Sequence, residues 1–426
     1  MLNLLIAKIA RREFARTVSF QGERRPAPPV CRDQLPRLLY LHIPFCERLC
    51  PYCSFNRVIF DEGLCRSYFH ALRKEIRLYH AAGFDFRGVY VGGGTPTVLV
   101  DELEETLSLA REVFAIREIS VETNPNHLNR PTIDALKRLK VNRLSVGVQS
   151  FQDGLLQKMD RFDKYGSGAD IAARLKEVMG EFETLNADMI FNFPSQTSDM
   201  LRRDLATLVD IGIDQVTYYP LMVSDYTKGD METKIGRVTH GREEAFYRLI
   251  TETLQPGYRF SSAWCFSREK ADAIIDEYIV DYDEYAGLGS GSIGYLGGTC
   301  YANTFDIRKY ISDIDKGLLP IFASRDFSLR DKARYDFMMK LFGMKMEAAS
   351  LFQKYGPWAW PGLALDIAAF FLVGALRYRS GSFFLTRRGG YLWVVMMREF
   401  FTAVNNFRDY CRREQAMLKQ DGTSER

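Results

Sequence analysis

Short apolar runs alternate with longer amphipathic segments over the first half of the chain. The runs have the length and the β-branched or aromatic content of buried strands, and they lie at residues 38–43, 88–91, 119–123, 143–148, 186–191 and 215–219. Segments with the apolar spacing of helices lie between them, among them residues 64–82 and 100–114. Repeated strand–helix units of this kind predict an α/β domain with a parallel sheet and right-handed crossovers.

The pattern changes from about residue 252. Residues 287–294 form a glycine-rich loop that is too irregular for a dinucleotide fingerprint, and it predicts a turn or a close approach of backbone to a ligand. Beyond residue 330 the pattern is helical, with a small hairpin predicted at 381–389 and a long helix at 391–413. We therefore expect an N-terminal helix and linker (residues 1–36), an α/β domain (37–251) and a C-terminal substrate or cap region with a small helical domain (252–426).

Two apolar segments raise the question of membrane contact. Residues 358–376 are nearly long enough to span a bilayer, but they contain Pro361 and Asp366, and a charge at mid-bilayer is costly. We therefore predict a buried helix of the C-terminal region.

Residues 1–20 place apolar side chains on one helical face, with Lys8, Arg11 and Arg12 toward the other. This helix could cover the α/β domain, lie on a membrane surface or serve as a targeting peptide.

Composition narrows the class of protein. The chain has 426 residues, 46% of them hydrophobic, and a formal net charge of +3, which allows a large core and gives no global sign of nucleic-acid binding. Of its 8 cysteines, three are clustered and the others are scattered at positions 31, 65, 265, 300 and 411. This pattern suits free thiols in a reducing compartment. We predict a cytoplasmic protein, with membrane association left open.

The three clustered thiols are the strongest chemical signal in the sequence. Cys46, Cys50 and Cys53 have the spacing C-x3-C-x2-C. Three thiolates on such a loop can bind three irons of a [4Fe–4S] cluster and leave the fourth iron open, and an open metal position is typical of a catalytic site. A zinc site that lacks one ligand and a chance group of thiols are the alternatives.

Further motifs follow the same loop in order. They are Tyr40-Leu-His-Ile-Pro-Phe-Cys46, Cys50-Pro-Tyr-Cys53, Gly92-Gly-Gly-Thr-Pro96, Glu122-Thr-Asn-Pro125 and Gly147-Val-Gln-Ser-Phe151. Together they resemble the radical S-adenosylmethionine (SAM) superfamily, and more narrowly its branch of oxygen-independent coproporphyrinogen III oxidases, heme chaperones and class C radical methyltransferases. The resemblance covers about residues 38–306. It implies an α/β fold, a partial (β/α)6 radical SAM barrel with an α-rich, winged C-terminal domain, and chemistry at the carboxyl ends of the strands.

The resemblance also implies which residues hold the cofactors. Cys46, Cys50 and Cys53 would bind the cluster, at which SAM is reductively cleaved to a 5′-deoxyadenosyl radical. The residues implied to contact SAM are Tyr40, Tyr52, Gly92, Gly93, Gly94, Thr95 and Glu122. Tyr40 and Glu122 are also the catalytic candidates. A second SAM would be bound by Gly94, Thr95, Gln149, Arg161 and Asp188.

These residues also have ordinary structural explanations. The glycines at 92–94 suit a tight strand-to-helix turn, Tyr52 an aromatic side chain beside a loop, and Glu122 a solvent-facing carboxylate. Arg161 and Asp188 suit the carboxylate and amino ends of an amino acid, and a plain salt bridge between them is the structural alternative.

The sequence departs from two activities of the branch. Cys53 is followed by Ser54 and Phe55, without the further cysteine usual in the coproporphyrinogen oxidases, and residues 301–306 lack the histidine of the heme chaperones. We therefore predict a radical SAM enzyme that uses a second SAM to transfer a methyl or methylene carbon to an unactivated carbon. Oxidative decarboxylation of coproporphyrinogen III and heme trafficking are the alternatives.

The expected partners follow from this interpretation. They are a small-molecule or lipid-like substrate and a reducing partner such as flavodoxin or ferredoxin, with no nucleic acid. Peripheral membrane contact is a further expectation, which rests on the helix at residues 1–20 and on the aromatic residues of the long C-terminal helix.

Overall fold

The computed structural model describes residues 2–17, 31, 35–226, 228–268, 278–357 and 359–420. Its helices are α1 (Leu2–Thr17), α2 (Glu62–Ala81), α3 (Val100–Val113), α4 (Arg130–Arg138), α5 (Asp153–Lys158), α6 (Phe162–Tyr165), α7 (Gly168–Glu177), α8 (Ser198–Ile211), α9 (Lys228–Ile235), α10 (Glu243–Leu254), α11 (Tyr278–Asp281), α12 (Ile307–Asp315), α13 (Leu329–Phe342), α14 (Ala348–Tyr355), α15 (Ala359–Leu372) and α16 (Arg387–Gln420). Its strands are β1 (Leu38–Ile43), β2 (Phe45–Cys46), β3 (Val58–Ile59), β4 (Gly88–Gly93), β5 (Glu118–Thr123), β6 (Arg143–Gln149), β7 (Thr184–Phe191), β8 (Gln215–Pro220), β9 (Tyr258–Phe260), β10 (Cys265–Arg268), β11 (Tyr285–Leu288), β12 (Ile293–Leu296), β13 (Thr299–Asn303), β14 (Ile321–Asp326), β15 (Lys345–Glu347), β16 (Leu376–Arg379) and β17 (Ser382–Leu385).

The central part of the main sheet is parallel and follows the chain order β1, β4, β5, β6, β7, β8. Leu39 lies opposite Val89, Val91 opposite Val121, and Val121 opposite Leu144, which fixes the register of the first four of these strands. Helices separate the consecutive strands, as parallel pairing requires. These strands begin within two residues of the apolar runs in the sequence, and the predicted α/β fold is confirmed.

The sheet continues beyond this parallel part on both sides. On one side β11 pairs parallel to β1, and β12, β13 and β14 follow antiparallel; on the other side β10 and β9 follow β8. Strands from beyond residue 251 are therefore hydrogen-bonded to strands from before it. The domain limits proposed from the sequence stay predictions. The main sheet contains strands from both sides of the limit between residues 251 and 252.

Strand β1 shows how the core positions the site, because it is buried on both faces. Leu39, Leu41 and Ile43 point into the hydrophobic core shared with α2. The alternate residues Tyr40 and His42 face a cavity on the other side of the strand. The aliphatic side chains of this strand thus belong to the core, and the tyrosine and histidine between them form part of the cavity wall.

The N-terminal helix α1 packs on the long helix α16. Phe14 meets Phe400 edge to face, with ring centroids 5.4 Å apart, and Ala10 is buried. The Nε of Arg11 donates to Glu399 at 2.7 Å. The helix therefore has a packing role, as the first of the three alternatives proposed, but its main partner is α16 of the C-terminal region and not the α/β domain. Most of the linker at residues 21–36 lies outside the described residues.

The C-terminal region contains the predicted hairpin and long helix. Strands β15, β17 and β16 form a small antiparallel sheet. Helix α16 extends to the cysteine loop, where Arg412 donates to the Ser54 carbonyl. Trp393 of α16 is fully buried and donates from its indole nitrogen to the carbonyl of Met338 at 2.9 Å. Arg398 pairs with Glu243 and Glu399 in the same interior. The aromatic residues that suggested membrane contact are largely packing residues of this helix.

The prediction of a buried helix at residues 358–376 is wrong for most of its surface. Helix α15 begins at Ala359, ends at Leu372 and has 14 residues, about 21 Å of helix. Leu363 is buried, but Leu365 and Leu372 are 83% and 88% exposed. Only one face packs, because α13 is its main neighbour, where Arg334 pairs with Asp366 at 2.9 Å. None of the helices described is long and apolar enough to span a membrane.

A buried carboxyl joins α2 to the glycine-rich loop after β11. Glu75 accepts hydrogen bonds from the Tyr310 hydroxyl at 2.6 Å, the Gly289 amide at 2.9 Å and the Asn303 amide at 3.3 Å. Burial raises the pKa of Glu75 from 4.5 to about 7, because its three neutral partners offset only part of the cost of the charge.

We predict that stability falls as the pH rises through the interval between these two pKa values. The unfolded chain gives up the Glu75 proton at lower pH than the folded chain does, so the stability present below pH 4.5 is lost as the pH approaches 7. The loss is on the order of 3 kcal/mol. Glu75→Gln should flatten this part of the profile, measured by urea unfolding at several pH values. Glu62→Gln, an exposed carboxyl on the same helix, is the control, and equal slopes in wild type and Glu75→Gln would contradict the assignment.

Candidate functional site

The cysteine loop leaves the sheet directly after β1. Cys46 is the last residue of β2, and the loop returns through β3, where the Phe60 amide donates to the Cys46 carbonyl at 2.9 Å. Arg57 holds the loop from within, since it donates to the carbonyls of Cys50 at 2.6 Å and Cys53 at 2.7 Å. The three cysteines are free thiols that line one cavity.

These thiols fit an iron–sulfur cluster better than a single metal ion. Within the described part of the chain, no three His, Cys, Asp or Glu side chains are placed to hold one ion. A cubane [4Fe–4S] cluster needs thiolates that lie farther apart than the ligands of one ion, because each thiolate binds a separate iron. Burial and the neighbouring Cys53 raise the pKa of Cys46 to about 11, so a free thiolate is costly here and bound metal would offset that cost.

The cavity has a volume of about 390 Å³ and lies at the carboxyl ends of the parallel strands. Its lining is mostly apolar, with a few polar groups, as ligand sites generally are. The predicted site residues that line it are Tyr40, Cys46, Cys50, Tyr52, Cys53, Gly93, Gly94, Glu122, Gln149, Arg161 and Asp188. The structure thus brings together side chains from β1, β4, β5, β6 and β7 and from the cysteine loop.

The glycines at the end of β4 and directly after it, Gly92, Gly93 and Gly94, each lie close against a protein neighbour. A Cβ at Gly92 would lie 2.7 Å from a carboxylate oxygen of Glu122, and one at Gly93, where φ is +117°, would lie 2.7 Å from the His42 ring. A Cβ at Gly94 would lie 2.6 Å from the Phe45 carbonyl oxygen and 3.0 Å from the Cys46 sulfur. The motif therefore lets β4 approach the cysteine loop closely, in addition to any contact with SAM.

Thr95 and Gly92 lie behind the cavity wall. The Thr95 side chain is fully buried, donates to the Cys46 sulfur at 3.9 Å and accepts from the Asn124 amide at 2.9 Å. Its position supports the first cluster cysteine. The contact of Thr95 with SAM, taken from the resemblance, stays a prediction.

Glu122 is fixed by two donors at the end of β5. The Tyr90 hydroxyl donates to its Oε1 at 3.0 Å, and the Gly93 amide donates to its Oε2 at 3.1 Å. It is therefore an ordered carboxylate in the cavity wall and not a side chain that points into bulk solvent, which was its ordinary structural explanation.

Tyr40 is oriented by His42, a residue that the sequence reasoning missed. The two side chains meet at 3.0 Å, between the Tyr40 hydroxyl and His42 Nδ1, and His42 Nε2 lies 2.8 Å from the Asn56 carbonyl oxygen. Burial lowers the pKa of His42 to about 4, so the ring is neutral. A carbonyl only accepts, so Nε2 carries the proton and the Tyr40 hydroxyl donates to Nδ1. The signal was present, since His42 lies within the Tyr40–Cys46 motif.

Gln149, Arg161 and Asp188 share the far wall of the cavity. Gln149 has a φ of +72° at a bulge in β6, an unusual conformation for a residue other than glycine. Asp188 accepts from Ser145 and Asn186, both at 2.8 Å.

Arg161 turns toward the cysteine loop. Its guanidinium stacks 4.2 Å from the Tyr165 ring centroid, contacts the Gly147 carbonyl and donates to the Cys50 sulfur at 3.7 Å. The second-SAM role of these residues stays a prediction.

The opposite wall comes from the C-terminal half and was not predicted residue by residue. Its aromatic and polar side chains are Trp264, Tyr278, Tyr285, Tyr295, Phe327, Tyr335, Phe400, Phe401, Asn405 and Arg408. Tyr278 stacks on Tyr40, with ring centroids 5.9 Å apart, and so joins the two walls. The density of tyrosine between residues 278 and 301 was the available signal.

Comparisons with known proteins agree with this geometry. Residues 40–232 match the model of the Radical SAM superfamily. The heme chaperone HemW of Lactococcus lactis is 31% identical over 286 residues, which cover 65% of this chain and 74% of that protein. The chain belongs to the radical SAM superfamily. Its place is in the branch of coproporphyrinogen III oxidase-like proteins.

Two further relatives extend the comparison. The anaerobilin synthase of Escherichia coli O157:H7 is 28% identical, over 70% of this chain and 73% of that protein. The solved structure of coproporphyrinogen III oxidase (HemN) from Escherichia coli superposes with a TM-score of 0.71 at 21% identity and covers 91% of this chain and 93% of its own. This superposition confirms the radical SAM fold with its helical C-terminal region. Membership implies a [4Fe–4S] cluster and SAM, while the number of SAM molecules stays a prediction.

We predict that Gly94→Ala impairs the radical SAM site. The added methyl group would push on the Phe45 carbonyl and the Cys46 sulfur, and neither can move without displacing the loop. Anaerobic reconstitution followed by iron and sulfide analysis should show less than about half of the wild-type cluster content. Gly154→Ala, where a Cβ meets nothing within 4 Å, is the matched control. Full cluster content in Gly94→Ala would contradict the close packing described here.

Proposed function

We propose that this protein is a radical SAM enzyme that acts on a tetrapyrrole with carboxylate side chains. The observation that carries the proposal is the continuity of one cavity, from the three cysteines past Glu122 and Tyr40 to the aromatic wall. A cofactor pair at the cysteines and a large flat substrate at the aromatic wall would then be neighbours. Aromatic side chains suit such a substrate because they stack on flat rings with little loss of entropy.

The residues of this chain have separate tasks in the proposal. Cys46, Cys50 and Cys53 would hold the cluster, and the ordered carboxylate of Glu122 would accept from amino or hydroxyl groups of SAM. Tyr40, held by neutral His42, forms the wall between the two ligands without carrying charge. When bound, the cluster and SAM supply a carbon radical that abstracts hydrogen. The apolar wall would keep water and other quenchers away from that site.

The substrate class is supported by the names of the relatives. Heme and coproporphyrinogen III, named in the chaperone and the oxidase, are both tetrapyrroles that carry carboxylates. Methyl or methylene transfer from a second SAM, predicted from the sequence, receives no support from these names. It stays a lower-ranked alternative for the pair Arg161 and Asp188.

A second candidate function is heme trafficking, favoured by the identity with HemW. Among the described residues that line the cavity, His42 is the histidine present, and both of its ring nitrogens are engaged. An iron ligand would have to come from another side chain. This is why we rank the enzyme above the chaperone.

The proposed partners remain a reducing protein such as flavodoxin or ferredoxin and, at lower rank, a membrane surface. The apolar residues of α1 contact α16, which weakens the first reason for membrane contact. The two most exposed large apolar residues of the described C-terminal region, Leu365 and Leu372, lie instead on α15.

One incubation tests the proposal against its alternatives. Anaerobically reconstituted protein is mixed with SAM and a reductant, and then with coproporphyrinogen III or heme. We expect 5′-deoxyadenosine together with a tetrapyrrole product of changed mass, seen by mass spectrometry. Tight 1:1 binding of heme with no product would favour the chaperone, and S-adenosylhomocysteine with a one-carbon gain would favour methyl transfer. SAM cleavage with both tetrapyrroles unbound and unchanged would contradict the substrate class.

A further inference from the structure

Besides Arg161, which contacts the Cys50 sulfur, three further guanidinium groups lie around the cysteine loop, and two of them bind its backbone carbonyls. Arg57 donates to the carbonyls of Cys50 and Cys53. Arg412 of α16 pairs with Asp409 at 2.6 Å and donates to the Ser54 carbonyl at 2.8 Å. Both therefore hold the loop in place. The third group, Arg408, lies one helical turn before Arg412 and lines the cavity.

Among the described residues, Arg57 and Arg412 donate to the backbone of the cysteine loop, and Arg408 does not. Arg57 also keeps two buried nitrogens, Nε and Nη1, without an acceptor, but it is held by two loop carbonyls. The Nη1 of Arg408 donates to the side-chain oxygen of Asn405 at 2.9 Å, and the guanidinium lies 4.7 Å from the centroid of the Phe55 ring. Its Nε is buried and has no hydrogen-bond acceptor among the described residues. No carboxylate of the described chain forms an ion pair with it. The Arg408 side chain is half-buried, and loss of hydration on its buried side lowers the pKa of Arg408.

A guanidinium in this setting lacks an anionic hydrogen-bond partner within the described part of the chain. Removing its hydration is costly unless an anion replaces the water, and a carboxylate matches its flat array of donors with two parallel hydrogen bonds. The neighbouring wall is aromatic, and Tyr40 and Tyr278 line the same cavity as Arg408. A ligand that satisfies both surfaces is flat, apolar over its ring and anionic at its edge.

We propose that Arg408, with Asn405, forms a carboxylate subsite that binds a propionate-type side chain of the substrate. This rests on the proposed function, since it places the edge of the tetrapyrrole at α16 and its ring against the tyrosines. Helix α16 therefore selects and orients the substrate, while β1, β4 and β5 supply the cofactor side of the cavity. Arg408 is a positioning residue in this scheme and takes no part in bond breaking.

The test compares a ligand that carries carboxylates with one that lacks them. Coproporphyrin III and its tetramethyl ester are titrated into the reconstituted protein with SAM present, and binding is followed by the change in porphyrin absorbance. Arg408→Gln should weaken binding of coproporphyrin III tenfold or more and leave the ester unchanged. Arg408→Lys keeps the charge but loses the paired donors, so its affinity for coproporphyrin III should lie between those of wild type and Arg408→Gln. Arg388→Gln, an exposed arginine about 30 Å along the same helix, is the control.

Each outcome separates the subsite from the proposed function. If wild-type protein binds the ester as tightly as the acid, or if Arg408→Gln weakens both equally, the subsite is wrong while a tetrapyrrole site stands. If wild type binds neither, the substrate class itself fails. The reduction potential of the cluster is measured in the same variants. A shifted potential with unchanged porphyrin binding would make Arg408 a partner of the cluster charge and overturn the proposal.

Discussion

A loop that presents three thiols to one cavity must have its backbone held from several sides. In this structure, residues of β1, of the glycine-rich loop and of α16 supply those contacts. The loop between β2 and β3 is fixed by the preceding strand and by two distant parts of the chain. His42 Nε2 of β1 donates to the Asn56 carbonyl at 2.8 Å, and the Asn56 side-chain amide donates to the Ser290 carbonyl at 3.1 Å. Arg412 of α16 donates to Ser54 and closes the outer side.

This dependence explains why the C-terminal half is joined to the sheet. Pairing of β11 with β1 brings the glycine-rich loop beside the cysteine loop, where a Cβ at Gly291 would lie 2.4 Å from that of Asn56. Buried Glu75 then ties the amide of Gly289 to α2. The aromatic cavity wall follows from the same arrangement, because the strands that carry Tyr285 and Tyr295 are continuous with the barrel sheet.

The sequence predicted the parts of the structure that depend on local pattern. Strand β1 was placed at its observed limits because its apolar run ends at a proline on the carboxyl side, and the cysteine spacing defined the cluster loop without a structure. Contacts between distant segments could not be predicted in this way. Leu365 looks like a core residue by composition and is exposed, because only tertiary packing decides which side of α15 is covered. Arg408 looks like a surface residue of a long helix, and only the path of α16 brings it to the cavity.

The central claim is that this cysteine loop holds a cluster with one iron open to SAM. Electron paramagnetic resonance of the reduced, reconstituted protein, recorded with and without SAM, tests it most directly. The account predicts the signal of a reduced [4Fe–4S] cluster whose line shape changes when SAM is added, because SAM would bind the iron that has no cysteine. A signal that is identical with and without SAM, or that persists in Cys50→Ala, would contradict it.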